Sequence, residues 1–354
     1  MIGDLNTSCR IDFTEKYLSL AGIMKSSHLY FWIPFTVVLF SFLSYKNLEW
    51  KLAKTKAWTD GTLDSNHERL LDFDYYYNEQ SRLFQFLFPE LIHQMTGIPV
   101  RDAYKFQRLL FFGLAYVVLF WFSSKWLYKI WALAVVIYFS LITMPQVYLN
   151  HLQESAPLLS FSFFICTYLI LIKRDKLYSL ILCMGAINNE TMLFLPALYF
   201  FYNYEKFDPK HIKLLAFNTV KYAIPAFLIV LVIRWYNIDR PHLGGAYHLE
   251  HNLHHLIPLL KIYGICWFLP IVVFFKLPLF FKRAYLSIPF FIVPHLITGK
   301  IEETRQMLPL AILILPAAMI SILILVRLVI PLRFHSSEWF ALIEIKSVKS
   351  APLG

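Results

Sequence analysis

The chain has 354 residues, of which 58% are hydrophobic and only 16% are charged, and its mean hydropathy is +0.54. Soluble domains carry about a quarter charged residues, so this composition excludes an ordinary soluble protein and predicts an all-α, polytopic integral membrane protein. A transmembrane barrel is disfavoured, because the apolar runs are continuous and do not alternate. The net charge of +10 does not predict nucleic-acid binding, since membrane proteins collect Lys and Arg in cytoplasmic loops.

Ten apolar segments follow one another along the chain. About 20 apolar residues span a bilayer, and several of these segments are shorter, so we expect about ten transmembrane or half-membrane helices. They lie at 29–45, 108–123, 130–147, 156–172, 177–188, 190–202, 215–234, 258–275, 285–298 and 306–328.

The segment LYSLILCMGAINNETMLFLPALYFFY decides the topology. If it were one span, three basic loops would fall outside, against the positive-inside rule. We therefore predict two short helices, broken at Asn188–Glu190, that are buried in protein or line a cavity. The predicted organisation is a cytoplasmic tail at 1–28, one membrane domain at 29–328 with a large outer loop at 46–107, and a cytoplasmic tail at 329–354.

Acidic residues at membrane depth or in the outer loops are the first candidates for chemistry. Asp72 and Asp74 form a D-x-D, which suits a divalent cation or a general base beside a charged partner. A solvated loop with scattered acids is the structural alternative. Glu154 lies at the turn between the third and fourth segments. Two interpretations are open: a role in the site, or a charge that the helix dipole favours at a helix N-terminus.

Further candidates lie at the helix break and before the last segment. Glu190 would be costly between two apolar helices unless it has a partner or faces a polar cavity; the alternative is that Asn189 and its neighbours only close a tight turn. The run GKIEETR supplies Glu302, Glu303 and Arg305. Arg305 suits a phosphate through its planar fork of donors, or a pair with a nearby glutamate, and Arg82 is a second phosphate candidate.

The loop 235–257 is rich in histidine. On a helix, His248, His251 and His255 would share one face, and three histidines can bind zinc. The spacing contains no H-E-x-x-H, so we prefer a loop that covers the substrate.

The order of these features resembles the GT-C superfamily of polytopic glycosyltransferases, which includes protein O-mannosyltransferases and aminoarabinose transferases. PELIHQMTGIPVRDAYKFQRLLFFGLAYVVLF is similar to the end of that family's first outer loop, with Pro89, Gly97 and Arg108 in the matching places. MPQVYLNHLQESAPLLSFSFF is similar to its next motif, with Glu154 where the family usually has Asp, and GAINNETMLFLP matches its polar break. The resemblance covers roughly residues 29–205.

The resemblance implies transfer of a sugar from a polyprenyl-phosphate-type lipid donor to a glycan, lipid or protein acceptor on the outer face of a bacterial inner membrane. Asp74 is the expected general base, with Asp60, Asp64 and Asp72 as alternatives; Arg305 or Arg82 would counter the phosphate. Glu154 and Glu190 would orient the substrates or hold a divalent cation. A transporter or flippase of a lipid-linked saccharide and a non-catalytic partner in envelope glycan assembly are the rival interpretations.

Overall fold

The computed structural model describes residues 29–147, 155–240, 247–300 and 303–329, and the regular elements within these ranges are helices. The α-helices are α1 (Leu29–Lys54), α2 (Thr62–Leu71), α3 (Tyr77–Gln80), α4 (Leu83–Thr96), α5 (Val100–Ser123), α6 (Lys129–Val147), α7 (Ser155–Leu171), α8 (Asp175–Asn188), α9 (Leu195–Asn203), α10 (Pro209–Tyr236), α11 (Leu249–His254), α12 (Ile257–Tyr263), α13 (Leu269–Val272), α14 (Leu279–Tyr285), α15 (Ile288–Thr298) and α16 (Ala311–Val329). Short 3₁₀ segments link several of them. The predicted all-α class is confirmed.

Among the described residues, three long helical stretches are apolar enough to cross a membrane. They are α5, α10 and the continuous stretch Thr304–Val329, in which a 3₁₀ segment runs into α16. Shorter apolar stretches occur at Lys129–Pro145, Ser155–Leu171 and Ile257–Trp267. These helices indicate that the protein is associated with a membrane.

The predicted span at 258–275 is wrong as a single helix. The segment divides into α12, a 3₁₀ turn at Gly264–Trp267, α13 and a second 3₁₀ turn at Phe274–Lys276. Gly264 has φ +52, a left-handed conformation that ends a helix and that glycine adopts without steric cost. Pro270 follows near the start of α13, where its missing N–H is tolerated.

The segment predicted as an outer loop, 46–107, is itself helical. α1 continues to Lys54, beyond its predicted end, and α2, α3 and α4 follow before α5 begins. These helices enclose a small apolar core of their own, which includes Leu63, Phe86 and Tyr104. His67 is buried beside that core, within 3.0 Å of the Tyr104 hydroxyl and 2.9 Å of Glu90 Oε2.

The main core is formed around α5 and α16. Phe112 and Tyr116 on α5 are fully buried, and the two helices are surrounded by α1, α6, α7, α13 and α14. Trp126, just past α5, packs its ring 4.7 Å from that of Phe281. Aromatic pairs with this spacing contribute beyond the area that they bury, so they hold one end of the bundle together.

The predicted helix break is confirmed. α8 ends at Asn188, Asn189 is extended with φ −163° and ψ 129°, and a 3₁₀ segment covers Glu190–Phe194 before α9 begins. The Asn189 side chain caps the second piece by accepting a hydrogen bond from the Thr191 backbone N–H at 2.9 Å. Asn188 donates to the Ser155 carbonyl at 3.1 Å and so ties the break to the start of α7.

Candidate anion-binding site

A polar cavity of about 250 Å³ opens beside the helix break. Its walls come from five parts of the chain: residues 78–82, the start of α7, the break at 189–194, His248, and the described residues between His295 and Gln306. Of the predicted site residues, Arg82, Asn189, Glu190, Glu303 and Arg305 line it. The fold therefore brings together side chains that are more than 200 positions apart in sequence.

Glu190 is held from the end of α10. Its Oε1 lies 2.5 Å from Arg234 Nη2, and the Arg234 guanidinium stacks over the Tyr77 ring at 4.6 Å. Arg234 also donates to Asn78 at 3.3 Å. The Glu190 side chain remains 40% exposed, because it faces the cavity. A carboxylate that is both anchored and accessible can accept a proton or orient a hydroxyl group.

Glu303 and Arg305 form a second pair in the same wall. Arg305 Nη2 donates to Glu303 Oε2 at 2.8 Å, and Gln306 donates to the same oxygen at 3.0 Å. Burial by itself would raise the pKa of the Glu303 carboxyl, but Arg305 and these hydrogen bonds outweigh it and hold that pKa below its ordinary value. Glu303 is therefore ionised at neutral pH and fixes the Arg305 guanidinium.

Two arginines keep unused donors at the cavity. Arg305 is only 8% exposed, and its buried Nη1 has no hydrogen-bond partner among the described residues. The buried Nε of Arg82 has none there either. Arg82 is also close enough to interact electrostatically with Glu190, Glu303 and Arg305. Buried N–H groups without a partner are costly, and two guanidinium groups at one cavity are suited to bind an anion.

An imidazole completes one wall. His295 Nδ1 lies 2.8 Å from the Phe291 carbonyl, and since a carbonyl only accepts, Nδ1 carries the proton. The other nitrogen, Nε2, is left to accept from the Thr191 hydroxyl at 3.4 Å. The rings of Phe194 and Phe291 lie within 5.1 and 4.6 Å of the imidazole, so its orientation is well fixed.

Asp72 and Asp74 lie outside the cavity lining, apart from Glu190 and Glu303, which line it. Between them, Phe73 packs its ring 5.7 Å from that of Tyr236. Both aspartates are exposed, and Asp74, with 79% of its side chain accessible, is 3.6 Å from Arg69. In this turn the aromatic ring faces the bundle, and the two carboxyl groups face solvent.

The remaining predicted residues divide into two groups. Glu154 and Glu302 lie outside the described residues. The histidines are described, but the three do not lie together, because α11 covers only Leu249–His254 and His248 precedes it while His255 follows it. His248 lines the cavity, whereas His251 and His255 stack on each other at 4.3 Å on the surface. Within the described ranges, no group of three His, Cys, Asp or Glu side chains is arranged to hold a metal ion.

Sequence reasoning missed several residues of this cavity. Asn78, Glu79 and His295 line the cavity but belong to no sequence motif, and the sequence did not indicate that Arg234 pairs with Glu190. The available signal was Arg234 itself, a cation at the end of a long apolar helix, which needs a partner or an interface position. No family model, curated protein or solved structure matches the chain.

Proposed function

We propose that the protein is a membrane glycosyltransferase that moves a sugar from a polyprenyl-phosphate-type lipid donor to an acceptor hydroxyl, with a GT-C-like arrangement of about ten membrane helices. The observation that carries the proposal is the pair of arginines at one cavity, Arg82 and Arg305, whose buried N–H groups lack partners within the described chain. A phosphate group supplies the acceptor oxygens that these donors require.

Three acids (Glu79, Glu190 and Glu303) and three cations (Arg82, Lys300 and Arg305) line the cavity. Arg234, which pairs with Glu190 from outside the lining, adds a fourth positive charge, and this balance leaves room for a phosphate. Arg234 is engaged by Glu190, and Arg305 is partly engaged by Glu303. Arg82 and Lys300 are lining cations that form no ion pair with a described residue.

In the proposed reaction, the acceptor oxygen attacks the anomeric carbon of the sugar, and the bond from that carbon to the phosphate oxygen breaks. The bonding electrons leave with the phosphate, which the arginines stabilise as its charge develops.

The acceptor proton needs a base in the cavity, and the proposal moves that role from Asp74 to Glu190. Glu190 lines the cavity and is held by Arg234, whereas the Asp74 carboxyl is on the surface beside Arg69. An ionised, oriented carboxylate within reach of the acceptor hydroxyl takes its proton as the new bond forms. No metal ion enters this scheme.

The two ends of α7 support an outward orientation of the site. Ser155, its first residue, lines the cavity, and its last residue, Leu171, precedes the basic turn Lys173–Lys176. The 17 residues of α7 correspond to about 25 Å at 1.5 Å per residue, close to the thickness of a bilayer core. Because basic turns favour the cytoplasmic side, the cavity belongs on the outer side, with both termini in the cytoplasm.

Binding of farnesyl phosphate to the purified full chain tests the anion site, with farnesol as the uncharged comparison. Arg82→Gln and Arg305→Lys each remove or misplace a charge-assisted hydrogen bond, so each is expected to weaken binding about tenfold or more. Arg69→Gln is the matched control, since Arg69 is an exposed arginine of the same loop region that does not line the cavity. Equal binding of farnesol, or an equal loss in the control, would overturn the proposal.

Transfer itself is measured in vesicles that contain a radiolabelled polyprenyl-phosphate sugar and a membrane extract as the source of acceptor. Glu190→Gln is expected to abolish product, while Asp74→Asn retains it. Loss of product in Asp74→Asn with full activity in Glu190→Gln would refute the reassigned base. Movement of the labelled donor across the bilayer without any product would support a transporter instead.

A further inference from the structure

A second cavity, of about 660 Å³, lies at the opposite end of α7 from the anion-binding site. It opens where α7 turns into α8 and where the middle of α10 crosses them. Its lining combines cations with apolar side chains: Lys173, Arg174 and Lys176 beside Leu169, Ile172 and Leu177. This combination of residues is not used by the proposed transfer reaction.

One acid, Asp175, lines the cavity together with the three cations. None of the three cations forms an ion pair with a described residue, and all three side chains are exposed. The single acid of the turn, Asp175, is half-buried and interacts with the Tyr199 hydroxyl. The turn therefore presents a concentrated positive charge at the mouth of the cavity.

Other contacts bring further cations to the same end of the bundle. Lys125 lies over the Tyr168 ring at 5.6 Å. Arg283 donates to the Tyr202 carbonyl at 2.7 Å, and the Tyr202 hydroxyl donates to the Leu171 carbonyl at 3.4 Å. Residues from two loops and from α14 thus place positive charge near the end of α7.

The backbone at Lys173 is strained. It has φ +55, in the left-handed region where glycine is the usual residue at a helix end. The turn is otherwise regular, because the Lys173 and Arg174 N–H groups bond to the Ile170 and Leu169 carbonyls at 3.2 and 3.0 Å. A lysine in this conformation costs conformational energy that a glycine would not. Compared with glycine, the lysine adds a positive charge at the turn.

The apolar residues indicate which anion the cavity takes. Ile172 and Leu177 are 38% and 46% exposed next to the cations, which suits a ligand with a charged head and a hydrocarbon chain. The end of a helix of membrane length is also where lipid head groups lie. Basic pockets between membrane helices on the cytoplasmic side bind anionic lipid head groups.

We propose that this cavity binds the phosphodiester head group of an anionic phospholipid, with the Lys173–Lys176 turn on the phosphate and an acyl chain along Ile172 and Leu177. The proposal is independent of the transferase activity, because it concerns the other end of the bundle. It requires only that the protein be embedded in a bilayer.

Native mass spectrometry of the detergent-purified full chain with phosphatidylglycerol, and with phosphatidylcholine as the neutral comparison, measures the binding. One cation near a lipid phosphate corresponds to about a fivefold change in affinity. Lys173→Gly is therefore expected to weaken phosphatidylglycerol binding about fivefold while leaving the melting temperature unchanged or raised, because it relieves the left-handed strain. Removing all three cations is expected to weaken binding about a hundredfold.

Lys210→Gln combined with Lys213→Gln is the matched control, since these exposed lysines of α10 lie outside the cavity lining. The control is expected to change binding less than about twofold. Inorganic phosphate is the competitor that separates a lipid from a free anion, and it is expected to leave the lipid adduct in place. Unchanged binding in Lys173→Gly, an equal loss in the control, or displacement by an equal concentration of inorganic phosphate would each overturn the proposal.

Discussion

The ion pair between Glu190 and Arg234 links the helix break to the end of α10, and its contribution to stability can be measured. The two charged groups meet at 2.5 Å, with 40% and 21% of their side chains exposed. At an effective dielectric constant of about 20, unit charges 4 Å apart attract by about 4 kcal/mol. Partial desolvation and the ordering of two long side chains offset about half of this, so we expect a net coupling of about 2 kcal/mol.

A double-mutant cycle isolates that coupling. The free energy of unfolding is measured in mixed micelles for the wild type, Glu190→Gln, Arg234→Gln and the double variant. Each single change is expected to destabilise the fold by about 2 kcal/mol, because it leaves the other charge without its partner. The double variant is expected to be no less stable than the worse single variant.

The exposed pair Lys206–Asp208, at 3.6 Å, provides the control cycle. Its charges are largely solvated, so its coupling is expected to be below about 0.5 kcal/mol. If the Glu190–Arg234 cycle gives a coupling as small as that control, the helix break is not pinned to α10 by this pair, and the reasoning that places Glu190 as an oriented base fails.

Three further predictions concern stability. The hydrogen bond from His67 holds the pKa of the Glu90 carboxyl below its ordinary value. The pair therefore stabilises the fold above about pH 4.5, and this contribution is lost as the pH falls through the lower pKa of the folded state. Glu90→Gln should reduce the fall of the melting temperature in acid, and an unchanged fall would contradict the prediction. Gly185→Ala would place a Cβ 2.5 Å from Met192 Cε, so we expect it to lower the free energy of unfolding by about 1–2 kcal/mol. Measured by chemical denaturation, the double variant with Met192→Ala should lose less than the sum of the two single losses. Full additivity would show that the two residues do not touch. The fully buried Tyr263 hydroxyl donates to a backbone carbonyl at 2.8 Å, so Tyr263→Phe should lower the free energy of unfolding by about 1–2 kcal/mol, and a neutral substitution would refute this.

The helix break is the element for which sequence reasoning was most effective. Asn188, Asn189 and Glu190 interrupt an apolar run, and the distribution of basic residues favoured a break over one span. Local chemistry is enough here, because an asparagine cap and a charged residue both act within one turn. The structure confirmed the break without changing its position.

Other elements were misjudged because their outcome depends on packing. The region 46–107 has few long apolar runs, and its helices are stabilised by a small shared core rather than by strong periodicity. The segment 258–275 is apolar apart from Lys261 and gave no sign of its breaks except Gly264 and Pro270. In a continuous apolar run, tertiary contacts determine where the chain turns.

The sequence by itself determined the helical class, the membrane character and the identity of the polar residues that an apolar bundle must accommodate. Only the tertiary structure decided which of those residues meet. Asp74 and Glu190 are equally acidic in sequence, yet one is on the surface beside Arg69 and the other lines a cavity with Arg82 and Arg305. The physical reason is that burial and pairing of a charge depend on neighbours from distant helices, and periodicity does not encode those neighbours.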